Sequence, residues 1–174
     1  MSPDRSRRKK TGTASSKAAR VPGSEPLAVS VACDGVRVAV ASARVADLAR
    51  HVLKALGVRQ AMLSITFVTP RSIARLNRLH LGHSGPTDVI TFELAAPVDR
   101  SVLGDIYICP AVARKNAVAM GVGVREELAR LVVHGILHAC GWEHPEDESR
   151  TASRMWRRQE QMLRRFWISR TPET

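Results

Sequence analysis

The chain has 174 residues, of which 44% are hydrophobic and 25% are charged. This length suits one domain, and the composition is typical of a globular protein rather than a fibrous or wholly disordered one. No window holds the roughly 18 consecutive apolar residues that a membrane-spanning helix needs. The three cysteines are odd in number and form no Cys-x-x-Cys pair, so neither a disulfide framework nor a zinc ribbon is indicated, and a reducing, intracellular setting fits best.

The net charge of +11 is concentrated at the two ends of the chain. Residues 1–20 and 150–170 each carry a net charge of +6, whereas residues 21–149 are neutral. Basic ends favour a polyanionic partner, because Lys and Arg bind phosphates whatever the sequence. A solvated tail that only aids solubility is the alternative for the N-terminal run. We expect residues 1–25 to be a basic disordered tail and residues 26–170 to form one domain.

The first half of the chain contains hydrophobic patterns of both helical and strand period. In chain order they predict strands over residues 27–33 and 36–40, a helix over 43–56, a strand over 61–68 and a helix from 70 to about 81. Asp34-Gly35 between the first two strands is a strong signal for a two-residue hairpin turn. Thr69 and Pro70 provide an N-cap and a first-turn proline for the last of these helices.

The second half of the chain alternates the same two patterns. It predicts strands over residues 87–94 and 103–109, then helices over 110–120, 125–140 and 146–167. Gly121 and Gly141 are expected to end the first two of these helices. Interspersed strands and helices with one hairpin predict an α+β or α/β layer fold.

A basic stripe is predicted on the helix that begins at Pro70. Arg71, Arg75 and Arg78 occur at positions i, i+4 and i+7, and so lie on one side of the helix. Arginines in this arrangement could hold an RNA backbone, which makes them candidate RNA-binding residues. A merely solvated helix face is the alternative interpretation.

Two histidines interrupt a segment that is otherwise apolar. No charged residue occurs between Arg130 and Glu143, so the helix there is expected to be buried on nearly all sides. It nevertheless carries His134 and His138, four residues apart and on one face. Buried imidazoles cost free energy unless their nitrogens have partners. A shared metal ion would satisfy both of them.

A third histidine completes the pattern His-x3-His-x2-Gly-x2-His. Gly141 lets the backbone reverse, so that His144 can return to the same ion. Three protein ligands leave a fourth tetrahedral position for water, whose pKa zinc lowers toward about 7, as in catalytic zinc sites. We therefore expect one zinc ion held by His134, His138 and His144. Three unrelated histidines, two in the core and one in a loop, are the alternative.

The same spacing occurs in the metzincin peptidases, with one chemical difference. Those enzymes have a glutamate directly after the first histidine, where it acts as the general base. Gly135 occupies that position here and cannot accept a proton. A zinc peptidase is therefore the weaker hypothesis.

Residues 134–144, HGILHACGWEH, resemble the signature of the YbeY family, bacterial metal-dependent endoribonucleases of rRNA maturation. Other positions that are similar to the family are Leu76-Asn77, residues 86–92 (PTDVITF), residues 103–108 (LGDIYI), Met155 and Glu160. The resemblance covers residues 29–166 and follows the family's order of motifs.

The resemblance implies a single α+β domain with a small mixed sheet, helices packed on it and a buried zinc-site helix. It implies single-strand-specific cleavage in rRNA maturation, including the 3′ end of 16S rRNA, and in ribosome quality control. The partner would be the small ribosomal subunit in the cytoplasm, with no membrane and no nicotinamide or nucleotide cofactor. Beyond a zinc-bound water, no catalytic acid or base is assigned to a residue.

Leu81 departs from the family pattern. The family usually carries an arginine at this position, thought to serve the active site, and an acidic residue where Ser84 stands. Leucine can neither bind a phosphate nor stabilise developing charge. Arg78, one turn earlier, is a candidate substitute. The alternative function is a non-catalytic, zinc-stabilised factor that associates with the ribosome or RNA.

Four other residues near these motifs have two interpretations each. Asp88 and Asp105 lie in family-like motifs, but either could serve structure by hydrogen bonding. His83 could approach the metal, although an exposed loop histidine is the favoured interpretation. Cys140 could be a soft ligand, yet its place on the helix favours packing in the core.

Overall fold

The structure is a computed structural model that describes residues 26–95, 99–145 and 148–167. Its helices and strands are β1 (Leu27–Cys33), α1 (Ser42–Ala55), β2 (Gln60–Phe67), α2 (Pro70–Leu76), β3 (Val89–Ala95), β4 (Ser101–Ile108), α3 (Pro110–Met120), α4 (Val124–Ala139) and α5 (Arg154–Phe166). They form one small α+β domain, as expected. No helix in the described ranges is both long and apolar enough to span a bilayer. The basic tail predicted for residues 1–25 lies outside the described residues.

The four strands form one mixed sheet in the order β1-β2-β4-β3. β1 pairs with β2 and β2 with β4 in parallel, whereas β3 and β4 are antiparallel. Every second residue of β2 and β4 is buried, which gives the sheet one apolar face. Helices α1 and α4 pack on this face and enclose the core between helix and sheet. The predicted small mixed sheet with helices packed on it is confirmed.

The hairpin predicted around Asp34-Gly35 is wrong. Residues 36–40 form no strand, and β1 pairs with β2 instead. A type I′ turn needs positive φ at both central residues, but only Gly35 has one, at 66°. The backbone N–H of Asp34 donates to the Phe67 carbonyl oxygen at 2.8 Å, so the ladder with β2 continues past the end of β1.

The helix predicted from residue 70 to about 81 has the expected extent, but it is α-helical in its first part and π-helical in its second. Its start is confirmed, because the Thr69 hydroxyl accepts a hydrogen bond from the Ser72 N–H at 3.1 Å. From Asn77 to Leu81 the backbone is π-helical, with i→i+5 hydrogen bonding. Gly82, at a φ of 72°, ends this segment.

The long final helix predicted over residues 146–167 is wrong in its first third. A 3-10 turn, Glu148–Ala152, comes first, and α5 begins only at Arg154. Ser153 has an extended backbone, and its hydroxyl accepts a hydrogen bond from the Trp156 N–H at 3.1 Å. A serine N-cap of this kind starts a new helix rather than continuing an old one.

Helix α4 is the central element of the fold. It contacts α1, α3, α5, β3 and β4, and 11 of its 16 residues are buried, as its apolar sequence predicted. Gly141, at a φ of 77°, follows the helix, and its N–H donates to the His138 carbonyl oxygen at 2.8 Å. The N–H of Trp142 donates to the Leu137 carbonyl oxygen at 3.0 Å. This left-handed ending turns the chain back toward the helix.

Candidate metal centre

The three histidines of the motif converge on one point. His134 and His138 lie one turn apart on α4, and the turn at Gly141 brings His144 beside them. The three Nε2 atoms are 3.1 Å (His134–His138), 3.3 Å (His138–His144) and 3.4 Å (His134–His144) apart. All three side chains are partly buried.

The outer nitrogens of two of these rings face oxygen atoms that only accept hydrogen bonds. His134 Nδ1 lies 2.8 Å from Gln159 Oε1, and His144 Nδ1 lies 2.8 Å from the Pro145 carbonyl oxygen. Each Nδ1 must therefore carry the proton, and each Nε2 must present its lone pair. Two lone pairs thus point into the same gap, which a cation would stabilise.

The distances also fit a tetrahedral ion. Zinc–nitrogen bonds of about 2.0–2.1 Å give ligand nitrogens about 3.3–3.4 Å apart in a tetrahedron, close to the 3.1–3.4 Å found here. The three residues could therefore hold a metal ion. The alternative of three unrelated histidines does not account for this convergence.

Gly135, the residue after the first histidine, faces the sheet. A Cβ atom there would lie 2.7 Å from Ile106 Cγ2 and 3.2 Å from Thr91 Oγ1. There is no room for a glutamate side chain unless α4 moves away from β3 and β4. The geometry therefore opposes the zinc peptidase, because the metzincin base has no place in this packing.

A buried polar network, which the sequence analysis missed, supports His134 from behind. The amide Nε2 of Gln159 donates to Glu160 Oε1 at 3.1 Å, and Arg130 Nε donates to the same oxygen at 2.9 Å. Gln159 is 1% exposed and Arg130 6%. Two further acceptors of Arg130 come from its own helix, Glu127 at 2.6 Å and Glu126 at 2.8 Å.

Burial opposes the charge of Arg130, but hydrogen bonds to Glu160 and Glu127 outweigh it and raise the pKa of the guanidinium. Arg130 therefore remains charged. One signal could have revealed the network, since Gln159 is a polar residue on the same stripe of α5 as buried Met155 and Met162.

Two adjoining cavities lie beside this network. One of about 400 Å³ is lined by His134, Gln159 and Trp156, among others. A second, of about 570 Å³, is lined by Trp156 together with Arg157 and Arg164. Trp156 lines both, so this residue links the cavity at His134 to the cavity at the arginines of α5.

The three stripe arginines lie on elements other than those that carry the histidines. Arg71 and Arg75 are exposed on α2, and Arg78 is exposed on the π-helical segment. The wider π-helical turn means that the stripe does not continue as a regular α-helical one. Leu81, at the end of this segment, is 51% exposed.

Both aspartates are engaged in hydrogen bonds within the fold. Asp88 accepts from the Val89 N–H at 2.8 Å and from Asn116 Nδ2 at 3.0 Å, and Asp105 accepts from the Ser64 hydroxyl. These contacts support the structural interpretation of both residues.

His83 and Cys140 lie outside the group that could hold a metal. His83 is exposed in the loop after the π-helical segment. Cys140 packs against the core. Burial, and then the charge of Glu93, raise the pKa of the Cys140 thiol to about 12. Both observations agree with the interpretations favoured from the sequence.

The fold and the site together define a class: a small α+β protein with a three-histidine cluster, able to hold a metal ion, at the end of its central helix. Comparison with known proteins narrows this class. The sequence model of the family described as "Endoribonuclease YbeY" matches residues 32–167.

Curated relatives and a solved structure agree with this match. The chain is 39% identical over 150 residues to an Endoribonuclease YbeY of Frankia casuarinae, covering 79% of this chain and 73% of that protein. It is 42% identical over 123 residues to one of Beutenbergia cavernae, covering 65% of this chain and 82% of the relative. The solution structure of TM1509 from Thermotoga maritima is similar, with a TM-score of 0.57, 26% identity, and coverage of 81% of this chain and 90% of that one.

The chain therefore belongs to the YbeY family of endoribonucleases. Membership supports a ribonuclease role, that is, a hydrolase acting on phosphodiester bonds.

Proposed function

We propose that this protein is a zinc-dependent endoribonuclease that cleaves single-stranded RNA in the maturation and quality control of ribosomal RNA. The observation that carries the proposal is the convergence of His134, His138 and His144 Nε2 atoms in a chain of an endoribonuclease family. The proposed substrate lies near the 3′ end of 16S rRNA, in the small ribosomal subunit, and the proposed compartment is the cytoplasm.

His134, His138 and His144 would hold one zinc ion, with their protonated Nδ1 atoms facing outward. Zinc bound there would supply Lewis-acid activation of water near neutral pH. Among the residues that the structure describes, we assign no protein group as general acid or base. The packing of Gly135 against Ile106 keeps a carboxylate out of the position that peptidases use.

Two basic surfaces are proposed to hold the RNA backbone. One is the stripe of Arg71, Arg75 and Arg78, as predicted from the sequence. The other is the groove beside α5, which Arg157 and Arg164 line together with the half-buried Trp156. The second surface adjoins the cavity at His134, so it suits the part of the strand closest to the histidines.

The test is cleavage of a single-stranded fragment from the 3′ region of 16S rRNA by purified protein. Three matched samples are compared: zinc-loaded protein, chelator-treated protein and the His138→Ala variant. We expect cleavage only in the first, because the other two lose the ion or one of its ligands. His83→Ala, which removes an exposed loop histidine, is the control that should retain both zinc and cleavage.

Bound zinc is measured in every sample by elemental analysis. Full cleavage by a His138→Ala protein that holds no zinc would contradict the proposal. Cleavage restored to the chelated protein by added zinc, but not to the variant, would place the requirement at this histidine cluster rather than at a contaminating nuclease.

Leu81 favours a second candidate function, a non-catalytic factor that binds ribosomal RNA and uses zinc for stability. The family resemblance places an arginine at this position, and an exposed leucine cannot stabilise charge on a phosphate. This candidate predicts salt-dependent RNA binding without cleavage in the zinc-loaded protein.

Leu81→Arg, compared with the unmodified chain, separates the two candidates: cleavage that appears only in Leu81→Arg would support the second one. The side chain is half exposed, so the longer arginine fits without disturbing the core. If the unmodified chain cleaves, we expect Leu81→Arg to increase the rate by about 10-fold or more, within the range that one added electrostatic stabiliser can supply. Leu81→Lys provides a control for charge without the bidentate geometry. Robust cleavage by the unmodified chain would eliminate the second candidate.

A further inference from the structure

We propose that Gln159 is a positioning residue for the metal site, and that Arg130 and Glu160 hold its amide in the one orientation that serves His134. The inference rests on the proposed function only in taking His134 as a metal ligand. It concerns the residues behind that ligand, for which the family resemblance assigned no role.

The first step is the orientation of the Gln159 amide. A glutamine side chain offers an acceptor oxygen and a donor NH₂ group of nearly the same shape, so only its neighbours can decide which way it points. Glu160 Oε1 can only accept, and it lies 3.1 Å from Gln159 Nε2. The amide oxygen therefore faces His134 Nδ1, at 2.8 Å.

The second step is the placement of Glu160. Its carboxylate oxygen is held by Arg130 Nε at 2.9 Å, and the remaining guanidinium nitrogens are held by Glu126 and Glu127. A carboxylate that accepts a hydrogen bond from a charged guanidinium has little freedom to turn away. Arg130, Glu160, Gln159 and His134 thus form a chain of hydrogen bonds.

The third step is the consequence for His134. An acceptor at Nδ1 selects the tautomer with the proton on Nδ1 and the lone pair on Nε2, which is the form that binds a metal through Nε2. The ring plane is also fixed, because Gln159 is buried on a packed helix. The cluster around Arg130 contains one cation and three carboxylates, and its excess negative charge favours a divalent cation nearby.

The test measures metal binding and the His134 tautomer, with no RNA present. Wild type, Gln159→Leu and Gln159→Glu are titrated with zinc against a chromophoric chelator, and the metal-free proteins are examined by ¹⁵N NMR of the imidazole nitrogens. We expect Gln159→Leu to weaken zinc binding by about 10–100-fold, the usual effect of losing a partner of a ligating histidine. The NMR signals of His134 should shift toward a mixture of tautomers.

Gln159→Glu retains an acceptor for His134 but loses the N–H that donates to Glu160, so we expect the wild-type tautomer with a zinc affinity between those of wild type and Gln159→Leu. Gln161→Leu makes the same chemical change on the exposed side of α5, and we expect it to alter neither measurement. Unchanged zinc affinity and an unchanged His134 tautomer in a folded Gln159→Leu protein would overturn the proposal.

A second pair of variants covers the case in which Gln159→Leu does not fold. Glu160→Gln and Glu126→Gln each remove one carboxylate from Arg130, but only Glu160 contacts Gln159. We expect zinc affinity to fall further in Glu160→Gln than in Glu126→Gln. Equal affinities would overturn the proposal. Because RNA cleavage is not the readout, failure here leaves the proposed ribonuclease activity to its own test.

Discussion

Gly135 illustrates how one small residue decides both packing and chemistry. It lies between His134 and the buried apolar residues of α4, on the side of the helix that touches β3 and β4. The absence of a side chain lets α4 approach the sheet closely. The same absence removes the base that a peptidase with this histidine spacing would need.

Gly135→Ala should destabilise the fold by about 1–3 kcal/mol, the usual cost of inserting a methyl group into a packed core. The new Cβ would lie 2.7 Å from Ile106 Cγ2 and 3.1 Å from its Cδ1, so either α4 or the sheet must shift. Urea unfolding of the metal-free protein measures the cost.

Gly123→Ala is the matched control, because it adds the same methyl group at the start of the same helix. A Cβ atom at Gly123 would have no packing neighbour within 4 Å apart from the adjacent backbone, and we expect a smaller effect there. Equal losses in the two variants would contradict the assignment of the Gly135→Ala cost to the close approach to Ile106, because helix propensity by itself favours alanine over glycine.

Helix α5 combines two roles on two sides. Its buried side carries Met155, Gln159 and Met162, which pack against the core and support His134. Its exposed side is rich in arginine, and Arg157 and Arg164 line the groove next to Trp156. The element therefore joins the histidine cluster to the surface that we propose to bind RNA.

The double variant Arg157→Gln/Arg164→Gln should weaken binding of single-stranded RNA and reduce the salt dependence. Each phosphate contact contributes about 0.7 to the slope of log K against log salt concentration, so the slope should fall by about 1.4. Fluorescence anisotropy at several salt concentrations measures both quantities, and Arg71→Gln/Arg75→Gln tests the other basic surface in the same way.

Arg114→Gln, an exposed arginine of α3 outside both surfaces, is the control for a general loss of positive charge. If Arg114→Gln lowers the slope by half as much as the α5 double variant, each arginine has the same effect wherever it lies. RNA binding would then depend on overall charge and not on the groove beside α5.

At the scale of the whole molecule, Arg130 connects α4 to α5. Its guanidinium is bound by Glu126 and Glu127 from its own helix and by Glu160 from the other. Since Arg130 and Glu127 are both buried, each depends on the other for compensation of its charge. The contact fixes the distance between the helix that carries two of the histidines and the helix that supports them.

Arg130→Met should cost about 3–5 kcal/mol of unfolding free energy, because it leaves the buried Glu127 carboxylate without its partner. Chemical denaturation followed by circular dichroism measures the change. Arg125→Met, an exposed position on the same helix, should stay within about 0.5 kcal/mol of wild type. A similar small change for Arg130→Met would mean that the three carboxylates are satisfied in another way.

Most of the fold could be predicted from local sequence signals. The extents of α1, β2, α3 and α4 follow from hydrophobic periodicity and from the glycines Gly121 and Gly141, and the start of α2 follows from Thr69 and Pro70. All these signals act within one turn of the chain. The hairpin at Asp34-Gly35 could not be rejected in this way. The hairpin does not form because β1 pairs in parallel with β2, which begins 27 residues after β1 ends.

The sequence by itself determined the class of fold, the family and the three histidines that could hold a metal, because their spacing on one helix and across one glycine turn is a local property of the chain. Only the tertiary structure decided which residue stands behind His134. Gln159 comes 25 residues later in the chain, and only the packing of α5 on α4 brings its amide to that ring. The orientation of that amide depends in turn on Glu160 and Arg130, since hydrogen-bond direction is set by neighbours in space and not by neighbours in sequence.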